Sequence, residues 1–360
     1  MSVEDAITRL AREDSSRVLA IIASRFGDID LADDAVQDGL LQAAQTWPVR
    51  GIPINPAGWL LTVSRRKAVD RLRSIQSDRR RADAYEHEHA SLHSGSPADA
   101  NSDLVDDDEA FLQSPDADSS QLRLMLLCCH PALAADARVA LTLRLVGGLT
   151  TAEIAAGFLI PEATLAQRIV RAKRKIRTAG IPMTMPDRID QRLAELMKVL
   201  YLIFNESYLS NSGEDLITRP DLNQVAARLT RLLVSLTPES PEPRGLLALQ
   251  LFATARSHSR ADHEGNVVLL GDQDRTAWDG GMINEANRIL SEAMAVMQPG
   301  PYQVQALIAS YHANARSAAE TDWVAIGDLY LQLEQMTGSD IVRMNRAVAV
   351  AMSDGPSAGL

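Results

Sequence analysis

Between Glu162 and Arg177 the chain carries Arg168, Arg171, Lys173, Arg174, Lys175 and Arg177 against the single acid Glu162. Cationic groups at that density hold phosphates, and an arginine that reaches a base edge can also read it. Leu165, Ile169, Ala172 and Ile176 recur at i, i+4, i+7 and i+11, so one face of this helix is apolar. Thr164, Gln167, Arg168, Arg171 and Arg174 or Lys175 fall on the opposite face. Upstream, Thr150 or Thr151 can cap a short helix, with Glu153 close to the capping-box position. Phe158–Ile160 forms the turn and Pro161 opens the second helix. That is a helix-turn-helix, whose second helix offers polar groups from its first two turns to a major groove. Lys173, Lys175 and Arg177 are then suited to phosphates. An isolated basic helix is more often a solvated face. The tight turn and the first helix of matching length favour DNA.

A second positive cluster runs from Arg65 to Arg81, with eight basic residues against Asp70 and Asp78. It stands out because the whole 360-residue chain is acidic, with a formal net charge of −11. Much of the negative charge lies between Pro97 and Asp118, where Asp99, Asp103, Asp106, Asp107, Asp108, Glu109, Asp116 and Asp118 occur without a single Lys or Arg. Net acidity does not exclude a nucleic-acid partner, because the local field decides phosphate attraction.

Other reactive residue types point nowhere specific. Cys128, Cys129 and His130 are adjacent, whereas zinc sites favour wider spacing such as C-x₂-C, and small buried cysteines are common in Leu-rich helices. His87, His89 and His93 lie in a polar stretch. No phosphate-binding loop, nucleophile elbow or H-E-x-x-H pattern occurs. The expectation is therefore no catalysis, no metal and no cofactor.

The elements that position these groups read as helical. Hydrophobic residues make up 46% of the chain and aromatics only 4%, a balance that suits a soluble all-α protein of two or three domains. No apolar run is long enough to span a membrane, the N-terminus lacks a signal pattern, and two adjacent cysteines fit a reducing cytoplasm. Stripes at Ile7, Leu10, Val18 and Ile21-Ile22, and at Leu31, Ala35, Leu40-Leu41 and Ala44, predict helices, the second ending at Trp47-Pro48. PVRGIPINP reads as a loop. Asn55 then caps a helix with Pro56 at its first position, placing Leu61, Ala68, Leu72 and Ile75 inward and Arg65, Arg66 and Arg73 largely off that face. The resulting organisation is an N-terminal helical domain over 1–85, an acidic flexible linker over 86–118, the helix-turn-helix domain over 119–182 and a helical C-terminal domain over 187–360. Within the last, MQPGPYQVQALIASYHA and MTGSDIVRMNRAVAVAM look alike at a spacing in the range of two-helix repeats.

With both clusters in view, the chain resembles a known family. DIDLADDAVQDGLLQAAQTW and NPAGWLLTVSRRKAVDRLRS look like domain 2 of an extracytoplasmic-function sigma factor, and GLTTAEIAAGFLIPEATLAQRIVRAKRKIR looks like its domain 4. The resemblance implies that Asp34, Gln37 and Asp38 dock on the clamp helices of core RNA polymerase. It implies that Asn55, Arg65, Arg66, Lys67 and Arg73 serve the −10 element and its single strand, and that Thr164, Gln167, Arg168, Arg171 and Lys175 serve the −35 duplex. Trp59 is expected in the core rather than as a stacking platform, which implies weak melting power and narrow promoter choice. YLIFNESYLS, PEPRGLLALQLFATARSHSR, LLGDQDRTAWD and the segments after them resemble the C-terminal extension of one sigma subgroup, with tetratricopeptide-like repeats. Ser207 stands where that subgroup usually has Gly, and members commonly run on past the last repeat, so an apolar face is expected to lie uncovered. Glu206, Asp272, Asp274, Arg275 and Trp278 are candidates for contacts between helices or domains. The implied partners are core RNA polymerase, promoter DNA and a regulatory protein or peptide. The residues alone leave open a one-component repressor with a ligand-binding domain, and more remotely an enzyme using the Cys-Cys-His stretch.

Overall fold

Gly27 ends one helix in the left-handed conformation, at φ 69°, and Asp28 immediately starts the next by accepting from the amides of Asp30 and Leu31 at 2.8 and 3.0 Å. Such local punctuation sets most boundaries in the computed structural model, which describes residues 2–86, 112, 114–209, 222–260 and 268–359. The fold is all-α, with no strand among the described residues. None of the described helices is long and apolar enough to cross a membrane. The greater part of the expected linker, with His87, His89 and His93, lies outside the described residues.

The chain divides into two compact units, Met1–Leu196 and Met197–Leu360. In the first, α1 (Val3–Arg9) passes through a π-type turn into α2 (Ser15–Phe26), followed by α3 (Ile29–Arg50) and α4 (Pro56–Glu86). Ile22, Leu60, Val18 and Val36 are buried where these helices meet. The helix α3 runs three residues past the expected stop at Trp47, with Pro48 inside its last turn. Pro48 gives up the bond its amide would make to the Ala44 carbonyl, and the buried indole of Trp47 and the Gly51 amide's bond to the Trp47 carbonyl at 2.9 Å hold that turn instead. Asn55 does cap α4, its side chain accepting from the amide of Gly58 at 3.0 Å.

The second half of this unit comprises α5 (Pro115–Cys128), α6 (Ala135–Leu141), α7 (Thr151–Gly157) and α8 (Glu162–Thr178). The helix α5 begins four residues before the position its periodicity suggests. Ser114 caps it, Pro115 opens it, and Asp116 and Asp118 suit the positive end of the helix dipole. Cys128 and Cys129 are buried and unbridged, and burial pushes the Cys129 thiol up to about 12 despite its contact with Thr142. Gly148, at φ 69°, lets this half touch the first, because a Cβ there would lie 2.2 Å from the carbonyl oxygen of Ala11.

The boundary between the units falls within α9 (Ile189–Leu209). Its backbone is helical through Ser207, the position where the subgroup's glycine suggests a turn. The second unit continues with α10 (Leu222–Leu236), α11 (Glu242–Ala255), α12 (Gly280–Met294), α13 (Pro301–Asn314), α14 (Trp323–Thr337) and α15 (Asp340–Asp354). Leu247, Leu251, Phe252, Leu290 and Ala306 form one core, and Val304, Ile308, Ile326 and Leu333 form another. Gly245 permits the tight crossing of α11 and α13, where a Cβ would meet the Gln303 amide nitrogen at 2.6 Å. Glu242 accepts from the Tyr302 amide at 2.6 Å and the Gln303 side chain at 2.9 Å, which caps α13. Burial nonetheless raises its carboxyl above the usual range. Ile341, Met344, Val348 and Met352 leave an exposed apolar stripe on α15.

Candidate nucleic-acid interface

The capping box of α7 forms as the sequence predicts. The Glu153 amide donates to Thr150 Oγ1 at 3.1 Å and the Thr150 amide donates to Glu153 Oε2 at 2.8 Å. Burial alone would raise the Glu153 carboxyl, but these bonds and the Arg12 guanidinium at 2.9 Å hold it below its ordinary value. The turn then passes through Leu159, an exposed residue at φ 54°, a conformation that suits glycine better. From Pro161 onward α8 seats Leu165, Ile169, Ala172 and Ile176 in the core, all at 7% exposure or less.

The residues expected to meet a duplex stand away from that core. Thr164, Gln167 and Arg171 are exposed, and Arg171 donates weakly to Gln167 at 3.5 Å. Arg168 is half-buried against Asp136, 3.1 Å away, so it is less available than its neighbours. Arg174 and Lys175 are exposed, with no acidic partner among the described residues.

Two of the expected phosphate contacts have another occupation. Lys173 is buried, with its ammonium 2.6 Å from Asp33 and 3.5 Å from Asp30. Arg177 reaches Asp30 at 2.6 Å. Lys173 is therefore spent on α3 and does not face solvent, whereas Arg177 pairs with Asp30 but stays exposed. Sequence reasoning missed this anchor, although the density of acids at the start of α3, Asp28, Asp30, Asp33 and Asp34, was its signal. Further bonds tie the same halves together. Arg17 meets Asp118 at 2.7 Å, and the Gln121 amide donates to Ser16 at 2.8 Å.

On α3 itself Asp34, Gln37 and Asp38 are all exposed on one side of the helix. Arg71, absent from the expected set, lies over them at 3.0 Å from Asp34 and 4.0 Å from Asp38. The i, i+4 spacing of the two aspartates leaves room for such a bridging cation. Asn55 is occupied as a helix cap. Arg66 and Arg73 are exposed along α4, while Arg65 and Lys67 are half-buried. Among the described residues Arg73 pairs with Asp70, 3.9 Å away on its own helix. Trp59 packs edge-on against Trp47 with ring centroids 5.3 Å apart, an indole held by the fold rather than offered as a platform. Among the described residues no group of His, Cys, Asp and Glu could hold a metal ion.

Three family profiles match the chain: Sigma-70 region 2 over residues 10–78, Sigma-70 region 4 over residues 123–176, and the family of unknown function DUF6596 over residues 192–294. The chain is 42% identical to "Uncharacterized protein R00370" of Rhizobium meliloti (strain 1021) over 340 residues, 93% of this chain and 77% of that protein. It is 29% identical to "Probable ECF RNA polymerase sigma factor SigI" of Mycobacterium tuberculosis over 184 residues, 50% of this chain and 58% of that protein. No solved structure matches it. Regions 2 and 4 in this order, with the exposed faces of α3 and α8 intact, make the chain a sigma-70 family member of the extracytoplasmic-function type, in which a DUF6596 domain follows region 4.

Proposed function

We propose that this sigma factor binds core RNA polymerase through Asp34, Gln37 and Asp38 and directs it to a specific class of promoter, with no catalysis of its own. In this reading Thr164, Gln167, Arg168, Arg171 and Lys175 meet the −35 duplex, and Arg65, Arg66, Lys67 and Arg73 meet the −10 strand, with Asn55 shaping the loop beside it. The observation that carries it is the division of labour on α8: the apolar stripe and Lys173 are used inward, while Thr164, Gln167 and Arg171 stand in solvent. A helix that keeps polar side chains of its first turns in solvent is what major-groove readout requires. The exposed arginines of α4 suit a single strand, whose affinity comes from phosphate contacts.

The C-terminal domain belongs to the same proposal as a regulator of the first unit's activity. Its consecutive helices pack in pairs, which supports a repeat-like architecture with a concave binding surface. Reconstitution with core RNA polymerase and a scan for promoters that open tests the whole reading. Co-elution with the polymerase and start-site selection are the expected results. A chain that binds duplex DNA but neither binds the polymerase nor selects a start site would refute it.

A further inference from the structure

Two acids of α3 hold cations of the kind that a duplex would claim for its phosphates. Lys173 sits 2.6 Å from Asp33 and 3.5 Å from Asp30, and Arg177 lies 2.6 Å from Asp30. At Lys173, which is buried, a carboxylate and a phosphate exclude one another. The arrangement also limits reach. Asp33 joins α8 to α3, and Arg71, 3.0 Å from Asp34, joins α4 to the next residue of α3. Helix rise and side-chain length along that path keep Thr164 and Arg66 less than about 55 Å apart. The −10 and −35 elements are separated by about 20–25 base pairs, or about 65–85 Å of straight duplex. Held this way, α4 and α8 cannot engage both elements of one promoter, so α8 has to leave α3 first.

The contact is of a kind that exchanges. Arg12–Glu153 and Arg17–Asp118, which also bridge the two halves, are partly exposed and contribute about 1 kcal/mol or less each. The buried Lys173–Asp33 pair gains little over its hydrated ions, because desolvation offsets most of the attraction. Partners that supply their own charges can therefore replace it. Opening also parts α5 from α2, which pack together, so whatever opens the chain has to offer new surface in return. A large protein partner does that and a salt ion does not. Gln37 supplies the link. Its amide donates to Asp33 Oδ1 at 3.4 Å, while Gln37, Asp34 and Asp38 are exposed on one side of α3. One side chain thus touches the pair that holds α8 and belongs to the face expected to meet the polymerase.

We infer that α3 is a latch: through Asp30 and Asp33 it holds region 4 closed on region 2 in the free chain, and polymerase docking on Asp34, Gln37 and Asp38 releases it. The inference rests on the proposed docking role of that face. Every contact of the latch lies within the first unit.

The test places spin labels on Ser74→Cys and Thr178→Cys in the full-length chain, two exposed positions on α4 and α8, while Cys128 and Cys129 stay buried. Pulsed electron resonance then reads the separation. The free chain should give one distribution below about 60 Å, label arms included. Binding to core RNA polymerase should lengthen it by at least about 15 Å, toward the span of the two elements. Asp30→Asn/Asp33→Asn should lengthen and broaden it with no polymerase present. Should that variant fail to fold, the polymerase measurement decides alone, since it leaves the latch residues intact. An unchanged separation in a complex that starts transcripts, a free chain already extended, or an Asp30→Asn/Asp33→Asn chain as closed as the parent would overturn the latch and leave the sigma reading standing. A chain that never binds the polymerase would overturn both.

Discussion

The Lys173–Asp33 pair allows a quantitative test of how the two sigma regions are held together. Lys173→Met leaves the Asp33 carboxylate buried, with the Gln37 amide at 3.4 Å its one remaining donor among the described residues. Breaking a buried pair from one side costs about 3–5 kcal/mol, because the remaining charge is uncompensated. Asp33→Leu should cost less, since Asp30 stays 3.5 Å from the ammonium. The double variant Asp33→Leu/Lys173→Met removes both charges and should return to within ~1 kcal/mol of the parent. The assay is built into the sequence. The only two cysteines, Cys128 and Cys129, are both buried in this unit, so thiol labelling in the full chain reports its opening. With ~1.4 kcal/mol per factor of ten, Lys173→Met should label roughly a hundred- to several-thousand-fold faster. A change below about tenfold, or single effects that simply add in the double variant, would refute the reasoning.

Four other outcomes follow from the same geometry. Gly148→Ala forces a Cβ into the Ala11 carbonyl at 2.2 Å with a positive φ, and should cost ~3 kcal/mol or more in urea denaturation. Leu159→Gly relieves a left-handed leucine at φ 54° and should raise stability by up to ~1 kcal/mol in the same measurement. His312 titrates at about 4 in the fold against an ordinary 6.5, so the unfolded chain takes up the proton first. Stability of the second unit is therefore whole above pH 6.5 and falls by about 3 kcal/mol on descent to pH 4, a dependence His312→Gln should remove in pH-resolved denaturation. Arg171→Ala should weaken binding to the preferred −35 duplex by ~1–3 kcal/mol in a salt-controlled titration, with the melting temperature unchanged.

What the sequence could reveal was whatever depends on near neighbours. The stripe Leu165, Ile169, Ala172 and Ile176 and the Thr150–Glu153 cap are fixed by residues three to eleven positions apart, and both appear as predicted. The fate of Lys173 depends on Asp33, 140 positions away, and nothing local distinguishes it from Lys175 on the same helix. The end of α3 was misjudged for a related reason: Pro48 reads as a breaker, but the burial of Trp47 decides the last turn. Arg275 and Trp278 could be picked out in LLGDQDRTAWD by residue type. That one guanidinium would hold the end of α13 required the carbonyl groups of His312 and Ala315, which no pattern in the sequence announces.

Because the inward side of α8 carries the burden of folding, its outward side is open to change. Thr164, Gln167 and Arg171 stand in solvent, so exchanging them should cost the protein little stability. If these positions read the promoter as proposed, a lineage could redirect such a protein to new genes by point changes there while the scaffold beneath stays the same.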